Sequence, residues 1–328
     1  MRTSILPSTP PVQLHQSVAS LVDRYDAFIL DQFGVLHNGA HALEGAVNCI
    51  QQLAHRNKKL VILSNTSGPA QAALQKLPTY GFDKDCFLGA ITSGEESSKY
   101  LRETYGNNNN NNSSSKPKRA LWFTWDGTTG NYPTPADYLN QCGNLEIAQS
   151  VEEADLVLAH GAHVWKQSSS DQVSLGSFFE TGQTDQVIDP LLQKCVKRNL
   201  PMVCANPDFT VRMPDGSKAY MPGNLARRYE ELGGTCRSFG KPHAEHFEAC
   251  LDLLGVDASK AIHVGDSLHH DICGANAAKI DSLWITSSGV HCEELQADFG
   301  ILPEEARMMD LLQREGHYPT HAMAAFRF

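Results

Sequence analysis

Three short stretches of this sequence place an acidic or hydroxyl side chain directly after an apolar run. The first run ends on Asp31 and the second ends on Ser64. A later run ends on Asp266, and Asp271 follows five residues on. Because the carboxyl ends of parallel strands meet at one edge of a sheet, where α/β proteins bind ligands, we predict that these side chains share one site.

The residue types suit the binding of Mg²⁺ and of a phosphoryl group. Asp266 and Asp271 lie on a predicted strand-to-helix loop, where two carboxylates can hold Mg²⁺ through oxygen atoms and water. The hydroxyl of Ser64 and the amide groups near Asn65 can hold phosphoryl oxygens, although this pattern also serves as a turn or a helix cap. Lys241 offers a compact positive charge for phosphate, although a single lysine of this kind usually lies on the surface.

The order of these motifs resembles that of the haloacid dehalogenase (HAD) superfamily. Residues 31–39 are similar to the first motif of its class IIA members, the NagD-like and p-nitrophenyl-phosphatase-like proteins, except at Phe33. Residues 205–208, Ala-Asn-Pro-Asp, resemble a signature of their inserted cap domain. The resemblance extends over roughly residues 26–292.

This resemblance implies a Mg²⁺-dependent phosphatase that acts on a small phosphorylated metabolite. Asp31 would attack phosphorus and form an aspartyl-phosphate, and a carboxylate needs no base for this because it is already ionised at neutral pH. Mg²⁺ would be bound by Asp31, by the backbone carbonyl of Phe33 and by Asp266. The metal, Ser64 and Lys241 would offset charge on the transferring phosphoryl group.

The remaining site residues implied by the resemblance support this centre or contact the substrate. Asn65, Gly265 and Asp271 would support the metal and phosphate positions. Asn206 and Asp208 would reach the substrate from the cap. Caps of this class often pair, so the resemblance also implies a homodimer.

Phe33 stands where such phosphatases carry a second aspartate, which protonates the leaving oxygen and then activates water. General acid–base catalysis is typically worth ~10²–10⁴-fold, and phenylalanine cannot supply it. Three outcomes remain open. The substrate can have a good leaving group, as in acyl or aryl phosphates. A histidine can act instead, with His37, His243 and His291 in the matching motifs. Otherwise the protein is a weakened or inactive relative that binds phosphorylated ligands.

The predicted fold is α/β, a HAD-like Rossmannoid parallel-sheet core with an inserted α/β cap of the C2 type. Residues 1–93 and 237–328 would form the core, and residues 94–236 the cap. The strand–helix–strand pattern from residue 27 to residue 64 predicts a parallel pair. Residues 14–25 are predicted as a helix, and the Asn/Ser-rich stretch at about 106–118 as a disordered loop.

Composition narrows the function classes. The 328 residues carry a formal charge of −10, which argues against a nucleic-acid-binding protein. No apolar run approaches the ~18 residues that a membrane helix needs, and the N-terminus lacks the apolar segment of a signal peptide. The nine scattered cysteines predict free thiols in a reducing compartment, with the cytoplasm as the default and organellar import left open. No Gly-x-Gly-x-x-Gly follows the first strand, so a dinucleotide-binding oxidoreductase is disfavoured.

Overall fold

The structure of the protein is a computed structural model that describes residues 12–106, 116–128, 135–184 and 186–328. The described residues form sixteen strands, numbered along the chain: β1 Gln13–His15, β2 Ala27–Leu30, β3 Lys59–Ser64, β4 Gly89–Thr92, β5 Arg119–Thr124, β6 Glu146–Ile147, β7 Leu156–Ala159, β8 Val164–Lys166, β9 Gln172–Ser174, β10 Pro201–Cys204, β11 Thr210–Arg212, β12 Lys218–Tyr220, β13 Thr235–Ser238, β14 Ala261–Gly265, β15 Asp281–Ile285 and β16 His321–Met323.

Ten α-helices connect these strands within the described ranges: α1 Ala46–His55, α2 Ala70–Lys76, α3 Ser93–Leu101, α4 Pro135–Gln141, α5 Phe178–Thr181, α6 Ile188–Lys197, α7 Gly223–Glu231, α8 Ala244–Leu254, α9 Cys273–Ala277 and α10 Glu305–Glu315. Among the helices described, none combines the length and the apolar character that crossing a bilayer requires. All nine cysteines are free, as the sequence predicts.

The first sheet has seven strands in the order β1-β16-β15-β14-β2-β3-β4. Every neighbouring pair in it is parallel. The central strands β2 and β14 are buried along their whole length, because apolar side chains cover both faces of the sheet. The carboxyl ends of β14, β2 and β3 therefore lie side by side, which brings the predicted site residues to one edge.

The second sheet is mixed and has its own core. Strands β13, β10, β7 and β5 are parallel, while β8 and β9 continue the sheet in antiparallel order. Apolar clusters pack on both of its faces. The antiparallel pair β11–β12 forms a separate two-stranded hairpin. The parallel sheet and the second α/β layer confirm the predicted fold class.

Two segments differ from their predicted structure or lie outside the described residues. The helix predicted for residues 14–25 is wrong, since this segment contributes the edge strand β1 and a short 3-10 turn at Val18–Ser20. Its strand conformation depends on pairing with β16, which is about 300 residues away in sequence. The Asn/Ser-rich stretch falls mainly on residues 107–115, which lie outside the described residues.

Candidate active site

The ends of three adjacent strands of the first sheet line a single cavity of about 360 Å³. Asp31 follows β2, Ser64 ends β3 and Asp266 follows β14. Lys241, which precedes helix α8, reaches the same cavity, as does Asp271. The structure thus brings the predicted site residues together, although they come from distant parts of the chain. They are the candidate nucleophile Asp31, the Ser64 hydroxyl, the Lys241 ammonium and the acids Asp266 and Asp271.

Lys241 is buried and lies between two of the acids. Its Nζ donates to Asp31 Oδ1 at 2.6 Å and lies 2.7 Å from Asp271 Oδ1. Burial by itself would lower the pKa of Lys241, but Asp271 and Asp31 raise it above its ordinary value. The lysine is therefore a fixed positive charge beside the candidate nucleophile.

Asp271 is held in the ionised form by its donors. His263 Nε2 lies 2.8 Å from Asp271 Oδ1, and the backbone N–H of Ser267 donates to Oδ2 at 2.9 Å. Burial favours the neutral carboxyl, but Lys241 and His263 outweigh it and keep the pKa of Asp271 below its usual range. Gly265 allows this packing, because a Cβ at that position would lie 2.1 Å from Asp271 Cγ.

The site has more negative than positive charge. Burial raises the pKa of Asp31 to about 7, against the opposing effect of Lys241. Burial and the nearby Asp271 and Asp31 raise the pKa of Asp266 well above its ordinary value. One carboxylate oxygen from each of these three acids lies within 4.8 Å of the others. Three carboxylates beside one ammonium suit a divalent cation with oxygen ligands, so the residues fit Mg²⁺.

Asp266 is enclosed by two glycine-containing loops, one of them in the first motif at residues 31–39, whose contact with Asp266 was not predicted from the sequence. The backbone N–H of Val290 donates to Asp266 Oδ2 at 2.7 Å. A Cβ at Gly289 would lie 2.0 Å from the same oxygen, and one at Gly34 would lie 2.8 Å from it. Both loops can approach the carboxylate only because these residues have no side chain. Gly34 has a φ of +80°, so a substitution there would also be strained.

Asn65 connects the sheet edge with the Asn-Pro-Asp segment. Its Nδ2 donates to Asp208 Oδ1 at 2.8 Å and to the Lys241 carbonyl at 3.1 Å. Its Oδ1 accepts from the Lys241 backbone N–H at 2.7 Å. Asp208 lines both the 360 Å³ cavity and a larger neighbouring cavity, whereas Asn206 lines only the larger one. Asn65 thus fixes the backbone that carries Lys241.

The contacts of His37 are packing and hydrogen bonds with residues of the protein, as expected of a structural residue. Its ring stacks on Tyr80 with centroids 4.3 Å apart and meets the ring of Phe33 edge-on at 5.7 Å. Nδ1 accepts from the Gly39 N–H at 3.1 Å, and Nε2 lies 3.4 Å from Gln32 Oε1. Burial lowers the pKa of His37 to about 3, so the imidazole is neutral near pH 7.

The other two candidate histidines also lack the placement of a proton donor. His243 is exposed and lies outside the lining of both cavities. His291 lines the smaller cavity, but its Nε2 accepts a hydrogen bond from the Leu268 N–H at 3.2 Å. The structure also brings His269 and His270 to this cavity. They lie between Asp266 and Asp271 in the sequence, and their spacing alone gives no signal for a role.

Comparison with known proteins agrees with this architecture. A family model described as haloacid dehalogenase-like hydrolase matches residues 28–119, and one described as HAD-hydrolase-like matches residues 238–308. A 4-nitrophenylphosphatase of Schizosaccharomyces pombe is 24% identical over 298 residues, which cover 86% of this chain and 91% of the relative. An acid sugar phosphatase of Staphylococcus aureus is 21% identical over 277 residues, or 83% and 91% of the two chains.

A solved structure with the same fold extends this likeness to nearly the whole chain. It is a haloacid dehalogenase-like hydrolase from Brucella suis, with 25% identity and a TM-score of 0.69. The match covers 96% of this chain and 99% of that one. The family models match the segments on either side of the second sheet, and they carry the strand ends that meet at Asp31. The chain therefore belongs to the haloacid dehalogenase-like hydrolase superfamily, in its NagD-like class IIA.

Proposed function

We propose that this protein is a Mg²⁺-dependent phosphohydrolase that acts on a small phosphorylated compound through an aspartyl-phosphate at Asp31. One observation carries the proposal. Asp31 lies in hydrogen-bond contact with the buried ammonium of Lys241, in a cavity that Ser64, Asp266 and Asp271 also line. The names of the two curated relatives, both phosphatases, support the same reaction class.

In the proposed first step, a carboxylate oxygen of Asp31 attacks phosphorus as the bond from phosphorus to the leaving oxygen breaks. Lys241 orients Asp31 and favours its ionised form against the effect of burial, and its charge also opposes the negative charge of the phosphoryl oxygens. Ser64 can donate its hydroxyl to one of those oxygens. In the second step, water attacks phosphorus, releases phosphate and restores the Asp31 carboxylate.

Mg²⁺ would be held by Asp31, Asp266 and the backbone carbonyl of Phe33, and it would supply charge neutralisation for the transferring phosphoryl group. Asp271 already accepts from Lys241, His263 and the Ser267 N–H, which suits a supporting position better than direct coordination. We further propose that the second sheet and the β11–β12 hairpin form the cap. Because β13 pairs with β10 and ends at Ser238, the cap under this proposal extends two residues beyond the predicted boundary at residue 236.

The absence of an acid at position 33 restricts the substrate. His37 is neutral with both ring nitrogens engaged, and Nε2 of His291 is also engaged. A leaving group of low basicity, such as a phenolate or a carboxylate, departs without a proton and takes one from water afterwards. Aryl and acyl phosphates therefore suit this site better than alkyl phosphates.

The test is phosphate release from aryl, acyl and alkyl phosphates by the purified protein, compared with the Asp31→Asn variant. We expect the variant to lose at least about 10³-fold in kcat, because the nucleophile is gone while the shape of the site is kept. Acid quench of the wild type should trap phosphate on Asp31. Turnover that survives in the variant would contradict the assignment of the nucleophile. Saturable phosphate-ester binding with no turnover would favour the second candidate, a non-catalytic phosphate-ligand-binding protein, since Phe33 replaces the acid.

The metal is tested by thermal unfolding rather than by activity. We expect Mg²⁺ to raise the Tm of the wild type, because an ion that binds only the folded state stabilises it. Asp266→Asn removes one proposed ligand charge and should abolish most of that increase. Glu315→Gln, which changes another acid that lines the same cavity, is the matched control and should keep the increase. An equal Mg²⁺ response in all three proteins would argue against the site.

A further inference from the structure

A second, larger cavity of about 760 Å³ adjoins the proposed active site. Four residues line both cavities, namely Phe33, Ser64, Asp208 and Val211. The larger cavity extends from this junction between helix α2 and the β11–β12 hairpin. A group attached to a phosphoryl at Asp31 could therefore pass over Phe33 into it.

The hairpin gives the two cavities different chemical characters. Successive residues of a strand face opposite sides, and in β11 only Val211, at the junction, lines both cavities. Met213, just after β11, lines only the larger cavity, whereas Thr210 and Arg212 line only the smaller one. Lys218, which pairs with Arg212 across the hairpin, also lines the smaller cavity. One face of the hairpin is thus apolar and the other cationic.

The exposed surface of the larger cavity is mainly apolar, although amide side chains such as Gln71, Gln75 and Asn206 also line it. Trp125, Tyr80, Pro214 and Met221 contribute to it together with the ring of Phe33. Two of its charged side chains, Glu95 and Lys76, have partners within the protein. Glu95 Oε2 accepts from the Ala70 N–H at 2.9 Å, and Lys76 Nζ lies 5.8 Å from the Tyr80 ring centroid.

One buried polar group on this wall lacks a partner. The Nε2 atom of Gln32 is inaccessible to solvent and has no hydrogen-bond acceptor among the described residues, although the side chain lines the cavity. A buried donor left unpaired is unfavourable, because it has lost its hydrogen bonds to water. A small rotation of the amide toward the cavity would let it donate to an oxygen of a bound molecule.

We propose that the larger cavity binds the leaving group of the substrate, and that this group is a neutral, mainly apolar phenol. The inference rests on the proposed phosphatase function. A volume of about 760 Å³ is suited to a molecule of one or two rings rather than to a triose or a single amino acid. Val211, Met213, Trp125 and Phe33 would then determine substrate specificity.

The replacement at position 33 supports the same class of leaving group. The phenol of tyrosine has a pKa near ~10, whereas that of water is near ~16, so a phenolate leaves far more easily than an alkoxide. Phe33 cannot protonate a leaving oxygen, but its ring offers an apolar surface where the leaving group would cross into the larger cavity. One residue thus disfavours alkyl esters and favours aryl esters.

The test changes the two faces of the hairpin. Met213 lines only the larger cavity and Val211 lies at the junction of the two, whereas Arg212 lines only the smaller cavity. Val211→Thr combined with Met213→Gln makes the larger cavity polar without adding charge, and Arg212→Gln is the matched control. For the double variant we expect KM for 2-naphthyl phosphate to rise roughly tenfold or more, while KM for glycerol phosphate changes little. The ratio of the two KM values should stay near that of the wild type in Arg212→Gln.

Calorimetric binding of 2-naphthol, which carries no phosphate, separates this inference from the proposed function. We expect the wild type and Arg212→Gln to bind it and the double variant to bind it at least tenfold more weakly. If Asp31-dependent turnover is found but wild-type protein binds no 2-naphthol and does not prefer the aryl ester, the cavity assignment is overturned. If 2-naphthol binds as expected but no phosphate ester is hydrolysed, the phosphatase proposal fails and the apolar site remains. If the double variant does not fold, inhibition of the wild type by 2-naphthol tests the cavity assignment instead. Competitive inhibition supports the assignment, and no inhibition overturns it.

Discussion

At the scale of single residues, Phe33 changes the chemistry of the site without removing its main groups. The backbone at this position can still supply a carbonyl, and Asp31, Lys241 and Asp266 stay together in one cavity. The side chain packs against the ring of His37 and leaves no room for a side chain at Gly39, whose Cβ would lie 2.8 Å from the Phe33 ring. Phenylalanine is therefore built into the loop that follows β2.

Restoring an acid at this position gives a direct test. We expect Phe33→Asp to increase kcat/KM for glycerol phosphate by roughly 10²-fold, because a general acid would assist the poor leaving group. The gain for 2-naphthyl phosphate should be small, since a phenolate needs little help. Phosphate release measured for both esters gives the ratio of the two gains in kcat/KM.

Phe33→Asn is the control, because it removes the ring and has the same size as aspartate without its acidity. If the two variants show equal gains, relief of steric bulk rather than acid catalysis is responsible. A fall in Tm for both variants would report the lost ring packing separately from catalysis.

At the scale of elements, the edge of the first sheet is closed by strands from both ends of the described chain. Strand β1 pairs with β16, and His321 in β16 links several elements. Its Nδ1 lies 3.0 Å from His15 Nε2, and its Nε2 lies 2.8 Å from the hydroxyl of Tyr25. Tyr25 donates to Asp281 Oδ2 at 2.6 Å. Both ring nitrogens of His321 are thus engaged while the ring is neutral.

This arrangement gives a pH dependence of stability. Burial lowers the pKa of His321 to about 4, with His15 acting in the same direction. An unfolded histidine titrates near ~6.5, so the unfolded chain binds more protons between about pH 6.5 and pH 4. The contribution of His321 to the free energy of unfolding is therefore fully present above about pH 6.5 and is lost as the pH falls toward 4. We expect Tm to drop over that range and His321→Gln to show a smaller drop.

His55→Gln, which changes an exposed histidine at the end of α1, is the control and should leave the slope of Tm against pH unchanged. If His321→Gln and the wild type lose Tm in parallel, other buried histidines account for the acid sensitivity. Thermal unfolding at pH 7, 6 and 5 decides between these results.

At the scale of the whole molecule, a few hydrogen bonds join the two sheets around the site. Asn65 donates to Asp208, and Trp125 donates through Nε1 to Ser67 Oγ at 3.0 Å. Ser93 Oγ donates to the Ala205 carbonyl at 2.8 Å. These contacts lie beside the two cavities, so the position of the second sheet and the enclosure of the substrate are linked.

Loss of the Asp208 contact tests that link. We expect Asp208→Ala to reduce kcat/KM by roughly tenfold, since a hydrogen bond to a charged group contributes about 1.5–3 kcal/mol. Tm should fall by only about a few degrees, because one hydrogen bond is lost while the apolar clusters stay intact. Asp208→Asn keeps an acceptor oxygen for Asn65 and should retain most of the activity. Full activity in Asp208→Ala would mean that the remaining contacts hold the two sheets together.

Much of the fold follows from the sequence because the deciding signals are local. Apolar runs of four to six residues mark β2, β3, β5 and β14, and helical spacing of apolar residues marks α1 and α6. Edge strand β1 and strand β16 are only three residues long and carry no such pattern. Their conformation comes from pairing with each other, which a local pattern cannot report.

The sequence by itself determined the chemical groups of the site and the strand ends that carry them, because the order of Asp31, Ser64, Lys241 and Asp266 is written along the chain. Only the tertiary structure decided which groups touch. It paired Lys241 with two acids, left His37 neutral between two aromatic rings, and let Gly34 and Gly289 close around Asp266. It also set the apolar face of the hairpin above Phe33. Distances, burial and charge balance arise between residues that are remote in sequence, so they exist only once the chain has packed.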